Sequence, residues 1–269
     1  MEPASLRLCR SLLFLPAANP RAIDKARELD ADMVILDLED SVRDEDKSAA
    51  RDAAVAATTE GFGDRPMAIR VNATSSPHYG ADVVAIRRSA ADYIVLAKTE
   101  TPKQAADAAW LTGKPVLAMI ETPRGVIDAA AIAPATRGLI AGTNDLAASI
   151  GAPAEGARRG LIYALQRIVL AARAAGVAAF DGVYNQLEAD DGLSAECEEG
   201  RLYGFDGKSV IHPSQIAAVN LAFAPSDAEL EAAQRLIAAA TGGAERHDGR
   251  MIEMLHVEQA RGLLAKARR

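Results

Sequence analysis

Short apolar runs recur along the chain, and each gives way to a longer stretch whose apolar residues fall at helical spacing. The runs are SLLFLP (11–16), MVILDLE (33–39), MAIRVN (67–72), YIVLAK (93–98), VLAMIET (116–122), GLIAG (138–142), VAAFDG (177–182) and KSVIHP (208–213). The most telling, MVIL at 33–36, shows no apolar–polar alternation and is rich in aliphatic side chains, the pattern of a strand buried on both faces. Between the runs, Asn19-Pro20 can cap a helix carrying Ile23, Ala26 and Leu29, and Lys47 to Ala57 is alanine-rich with matched charges. Thr101-Pro102 opens another helix that Gly113 stops. A further helix runs from Leu161 to Ala175, with Leu165, Ile168, Val169 and Ala172 on one face and Gly176 beyond its end. Eight strands alternating with helices over 269 residues predict an α/β protein, a (β/α)8 TIM barrel with a C-terminal helical extension. A Gly-x-Gly-x-x-Gly turn, which a dinucleotide fold would need, is absent.

The barrel is expected to occupy residues 1–225 and the extension residues 226–269. The extension comprises a helix at about 226–240, a Gly242-Gly243 break and an amphipathic segment at 251–267 with Ile252, Leu255, Ala260, Leu263 and Leu264 on one side. It either packs on the barrel, reaches a neighbouring subunit or closes over an active site.

In this fold the strand C-termini converge on one mouth. The polar residues at those ends are Asp37, Glu39 and Asp40, then Arg70 and Asn72, Lys98, Glu121 and Thr122, Thr143 to Asp145, Asp181 and His212. Glu121 and Asp145 leave adjacent strands, and two carboxylates with water and a chelating substrate suit Mg²⁺, a hard cation that keeps oxygen ligands. Their alternative roles are a salt bridge for Glu121 and a helix N-cap for Asp145. Arg70 offers a planar fork for a substrate carboxylate, or pairs internally with Glu39 or Asp40. The histidines (78, 212, 247 and 256) have no metal-ligand spacing and are expected to be structural. GFDGKS (204–209) has Leu202 where a phosphate-binding loop needs glycine, and no Ser or Cys sits in a nucleophile elbow.

Composition narrows the partners. Hydrophobic content of 49% with 25% charged residues is globular, and a net charge of −7 argues against nucleic acid as a partner. No apolar run reaches the roughly 20 residues that cross a bilayer, so no membrane partner is expected. Arg7 and Arg10 precede SLLFLPAA, but Pro16 and Asn19-Pro20 break that run, which reads as a first strand rather than a secretion signal. Cys9 and Cys197 form no metal motif or disulfide framework, which a reducing compartment permits, and the cytoplasm is the expected location.

RSLLFLPAANPRAIDKA, VILDLEDSV, IRVN, AMIETPRGV, AGTNDLA, FDGVYN and GFDGKSVIHPSQI, taken in order, resemble the citrate lyase β-subunit-like (CitE-like) proteins of the HpcH/HpaI aldolase superfamily. The resemblance runs from about Arg10 to the C-terminus. It implies a (β/α)8 barrel, a homo-oligomer (trimer or hexamer), and an Mg²⁺-dependent enzyme acting on an acyl-CoA and a 2-oxo acid. By motif, Glu121 and Asp145 are the implied metal ligands and Arg70 the clamp on the substrate carboxylate. Glu39 and Asp40 are implied to support the metal's waters and Arg70. Arg21 and Lys25 are candidates for the phosphates of coenzyme A, or else belong to a solvated helix start. The family's lyases cleave malyl-CoA or citramalyl-CoA to acetyl-CoA and a 2-oxo acid, and that reaction is the expectation here. In many of them an aspartate in a C-terminal Met-Ile-Asp motif moves the proton. Here the motif is Met251-Ile252-Glu253, and the extra methylene of Glu253 opens two alternatives: a thioesterase that directs water onto the thioester, or a solvent-facing helix residue. A non-catalytic or acyl-carrier-dependent citrate lyase β subunit is the remaining alternative.

Overall fold

The computed structural model describes residues 6–153, 156–240, 243, 245–247 and 250–267. Gly242, half of the expected glycine break, lies outside them. The chain divides into two compact units, Met1–Asn220 and Leu221–Arg269.

The first unit is a closed barrel of eight parallel strands in sequence order. These are β1 (Ser11–Pro16), β2 (Met33–Asp37), β3 (Met67–Val71), β4 (Tyr93–Leu96), β5 (Val116–Ile120), β6 (Gly138–Ala141), β7 (Ala178–Asp181) and β8 (Gly207–Val210). Every predicted strand is present. Strands β2, β4, β5, β6, β7 and β8 are buried at every position, because the barrel interior covers one face and the helical ring the other.

The interior core takes alternate residues from the strands: Leu12, Met33 and Ile35, Ala68, Tyr93 and Val95, Leu117 and Met119, Ile140, and Ala178 and Phe180. Leu6 and Cys9 belong to the same core. This parity positions the site. One step beyond Ile35, Ala68 and Met119 in the period of two stand Asp37, Arg70 and Glu121, so the apolar filling changes to charge at the C-terminal mouth.

The helices follow their sequence signals. Asn19 caps Pro20–Ala26 by accepting the Ala22 N–H, and Thr101 and Gln104 form a capping box on Pro102–Thr112, which ends at Gly113 in the left-handed region. Lys47–Glu60 extends three residues past the predicted end, and Ile162–Ala175 stops at Gly176 with φ of 69°. Among the described residues no helix is long and apolar enough to cross a membrane.

The second unit holds Asp227–Ala239, opened by a Ser226–Glu229 capping box, and Met254–Lys266, the two helices packing together. The predicted helical segment at 251–267 begins late. Arg250–Ile252 instead pairs antiparallel with Glu245–His247, and Ile252 is buried.

Candidate active site

A cavity of about 300 Å³ opens at the barrel mouth, lined by Phe14, Asp37, Arg70, Met119, Glu121 and Asp145 among others. Its charged lining comes from β2, β3, β5 and the turn after β6, and Phe14, Leu15, Val183 and Ile211 add apolar lining. Such a lining orients a small ligand by its polar end.

Glu121, the residue after β5, is 2% exposed and its Oε1 accepts the Lys98 N–H at 2.6 Å. Burial pushes its carboxyl up to about 7, with Glu39 and Asp145 adding like charge against the lowering pull of the Lys98 N–H and Arg70. Gly142 is what admits it. A Cβ at position 142 would stand 2.3 Å from Glu121 Cβ and 2.5 Å from its Oε2, so the side chain lies flat on glycine backbone. The helix Thr143–Ser149 starts there and carries Asp145 in its first turn. Asp145 does not cap that helix; its Oδ2 lies 3.1 Å from Lys98 Nζ.

The Lys98 ammonium also meets Glu39 Oε1 at 2.6 Å and Asp40 Oδ2 at 3.6 Å. Glu39 is buried, and burial raises its carboxyl pKa against the opposing charges of Arg70 and Lys98. It does not line the cavity itself and supports Lys98 and Arg70 from beside it. Its turn is pinned by Lys47, whose buried ammonium donates to the carbonyls of Leu38 and Glu39 and to Asn72 Oδ1 at 2.7, 2.8 and 2.9 Å.

Arg70 is paired internally, as one of its two expected roles required, but chiefly with Asp37. Nε and Nη2 donate to the two Asp37 oxygens at 2.6 Å each, Nη1 lies 3.2 Å from Glu39 Oε2, and the guanidinium stands over the Phe14 ring. Burial alone would raise the Asp37 carboxyl, yet Arg70 holds it below the usual carboxylate range. Two of the five guanidinium N–H groups are thus committed to Asp37, and the fork still borders the cavity.

The other predicted residues lie elsewhere. Arg21 and Lys25 are exposed on Pro20–Ala26 and do not line the cavity. Asp181 and His212, expected at the mouth, do not line it either: Asp181 is buried against Arg158 and Lys208, and His212 Nδ1 pairs with Ser214 Oγ. Glu253, in the second unit, is the N-cap residue of Met254–Lys266 and gives its N–H to His256 Nδ1 at 2.9 Å. Sequence reasoning assigned no role to Lys98 or Gly142. The glycine before the Thr-Asn-Asp helix start was the only signal for the second; the first depends on a backbone angle that no residue type announces.

The donor set suits a hard divalent cation. Glu121 and Asp145 present carboxylate oxygens to a cavity that Asp37 and Asp40 also line. Among the described residues no three His, Cys, Asp or Glu side chains gather into a metal cage.

Residues 10–213 match the HpcH/HpaI aldolase/citrate lyase family, and residues 158–269 match the C–C bond lyase family of the TIM-barrel fold. A (3S)-malyl-CoA thioesterase of Cereibacter sphaeroides (strain KD131) is 42% identical over 272 residues, spanning 96% of this chain and 94% of that protein. Citrate lyase subunit beta of Leuconostoc mesenteroides subsp. cremoris is 34% identical over 259 residues, 90% of this chain and 86% of that one. Among solved structures, CitE of Mycobacterium tuberculosis in complex with magnesium, acetoacetate and coenzyme A superposes with a TM-score of 0.82 at 34% identity, covering 98% of this chain and 100% of that chain.

Proposed function

Since the chain belongs to the HpcH/HpaI aldolase/citrate lyase family, we propose that it is an Mg²⁺-dependent enzyme of malyl-CoA-type thioesters and that its reaction is hydrolysis of the thioester. The observation that carries the substrate class is the pairing of Glu121 and Asp145 around Lys98 beside the Arg70 fork, in a cavity that Phe14, Leu15, Val183 and Ile211 also line. Glu121 and Asp145 would hold the cation, and when bound it supplies Lewis-acid polarisation of a hydroxy-acid or oxo-acid end. Arg70, kept charged and aligned by Asp37, offers the substrate carboxylate the second Nη2 N–H, and Nη1 on exchange of its longer contacts to Glu39 and Met119 Sδ. Phe14 and Val183 exclude water from the acyl segment. Arg21 and Lys25 remain the proposed contacts for the coenzyme A phosphates.

Hydrolysis is favoured over carbon–carbon cleavage by two observations. The thioesterase relative is similar along nearly the whole chain. The chain also carries Glu253 where many lyases of the family carry aspartate, and on the motif we assign Glu253 the proton-transfer role. In hydrolysis a water oxygen bonds to the thioester carbonyl carbon, the C–S bond breaks and the sulfur leaves as the coenzyme A thiol. The second reading, cleavage to acetyl-CoA and a 2-oxo acid, is supported by the C–C bond lyase match over 158–269 and by the citrate lyase relatives.

Incubation of the purified chain with Mg²⁺ and malyl-CoA or citramalyl-CoA, followed by chromatography of the coenzyme A species, tests both. Free coenzyme A with intact malate or citramalate is the expected result, and acetyl-CoA with glyoxylate or pyruvate establishes the lyase instead. Glu121→Ala is expected to abolish turnover and Mg²⁺ binding together, and Glu253→Gln to lower kcat with Mg²⁺ binding retained. The same preparation is expected to run as a trimer or hexamer in light scattering.

A further inference from the structure

Lys98 is the sole non-glycine residue with positive φ, 48°, among the described residues. Side chains rarely adopt that conformation, and where they do the surrounding structure over-determines it. Here the restraint is visible on both sides. Thr99, fully buried, donates its N–H to Met119 O at 3.1 Å and its hydroxyl to Leu96 O at 2.9 Å. Gly125 of Pro123–Ile132 comes so close that a Cβ there would stand 2.6 Å from Thr99 O. The turn is clamped between β4, β5 and that helix.

The clamp has a chemical result. It aims the Lys98 N–H at Glu121 Oε1 and sends the side chain over the mouth to Asp145 and Glu39. One residue thus touches both proposed cation ligands, one through its backbone and one through its ammonium. The two contacts differ in mobility: the N–H belongs to the clamped turn, whereas the ammonium ends a flexible stem whose side chain is 35% exposed.

We infer that Lys98 is the positioning residue of the cation site, its amide fixing Glu121 permanently while its ammonium occupies Asp145 only until a divalent cation is bound. This rests on the reading of Glu121 and Asp145 as the cation ligands. An ammonium 3.1 Å from Asp145 Oδ2 supplies positive charge to an acidic cluster that would otherwise repel itself. A divalent cation on the same carboxylate weakens that contact, since like charges at such range repel in a partly desolvated site. Other partners are already present: Glu39 Oε1 at 2.6 Å and Asp40 Oδ2 at 3.6 Å also hold the ammonium. Asp40 thereby gains a role that needs no contact with substrate.

The consequence has an unusual sign. Removing the ammonium removes a competitor for Asp145, so Lys98→Met is expected to bind Mg²⁺ about tenfold more tightly than the wild-type chain in calorimetric titration. Its metal-free Tm falls, and saturating Mg²⁺ restores most of that loss. Lys98→Gln follows the same direction and serves if the methionine variant does not fold, and Lys98→Arg, which keeps the charge, stays near wild-type affinity. A residue that merely supported the fold would lower Tm equally with and without Mg²⁺ and would not tighten binding. Mg²⁺ binding that requires Glu121 but is unchanged or weaker in Lys98→Met and Lys98→Gln overturns this inference alone. A wild-type chain that binds no Mg²⁺, or Glu121→Gln binding as tightly as wild type, overturns the reading of the site and this inference with it.

Discussion

A methyl group at position 142 would stand 2.3 Å from Glu121 Cβ, a distance that real side chains do not show. Gly142→Ala is therefore expected to fold as the same barrel, because the clash is with a side chain at the mouth and not with the core, but to push the Glu121 carboxylate off the Lys98 N–H. A displacement of about 1 Å in a catalytic group costs roughly 10²-fold in rate, so kcat/KM should fall by about that factor and Mg²⁺ affinity with it, read by calorimetry alongside an unchanged far-UV spectrum. Retained Mg²⁺ affinity would show that Glu121 is not held by this contact. Residues of this kind divide in how far the sequence reveals them. Asp37, Arg70 and Glu121 were legible because each continues an apolar strand and falls on the inward parity of its core residues. Asp181 was misread by ignoring that parity: Phe180 faces the core, so its neighbour faces the helices. Lys98 was visible only as a strand-end residue and Gly142 only as the glycine before a helix start, because what each does depends on a backbone angle and an atomic approach.

The eight barrel strands were recovered because burial on two faces writes continuous apolar runs, and three helices because their caps are chemical: Asn19, Thr101, Gly113 and Gly176 stand where they were expected, whereas Tyr79–Ile86, Pro123–Ile132 and Asp191–Tyr203 were not foreseen. The hairpin of Glu245–His247 with Arg250–Ile252 was hidden, since a three-residue strand carries too few positions to overrule the helical spacing that continues beyond it. The turn after β2 belongs at this scale too. Its acidic residues read as a site, but nothing in LDLED says that Lys47, nine positions beyond Leu38, is buried to hold the turn's carbonyls. Lys47→Met takes one donor each from Leu38 O and Glu39 O, which keep Asn72 Nδ2 and the Val42 N–H, and leaves Asn72 Oδ1 as a buried acceptor without its donor, at about 1–3 kcal/mol. The expected outcome is a lower urea midpoint together with weaker support of Lys98 by Glu39, seen as a drop in kcat at saturating Mg²⁺. A stability loss with kcat unchanged would separate the turn from the site.

Ionic contacts gather on the last two strands of the barrel. Lys208 is fully buried on β8, whose backbone pairs with β1, and its ammonium lies 3.3 Å from Asp181 Oδ2 on β7 and 2.9 Å from Glu196 Oε2 on the helix Asp191–Tyr203. Arg158, from the segment between β6 and β7, donates to both Asp181 oxygens at 3.2 and 2.9 Å. Burial alone would raise the Asp181 carboxyl, but Lys208 and Arg158 hold it below its ordinary range. A carboxyl with a depressed folded pKa contributes stability that is full above its unfolded value of about 3.9 and is lost as pH falls through the folded value. The wild-type barrel should accordingly weaken as the medium is acidified below about pH 4. Asp181→Asn removes the charge at every pH and leaves the buried Lys208 and the partly exposed Arg158 each short of a partner, a loss of up to about 3–5 kcal/mol near neutrality. The gap between the two proteins in urea unfolding should be widest at pH 7 and narrow as pH falls, because the wild type then gives up the same charge. A gap that stayed constant down to pH 3 would mean that Asp181 stabilises by shape and hydrogen bonding alone.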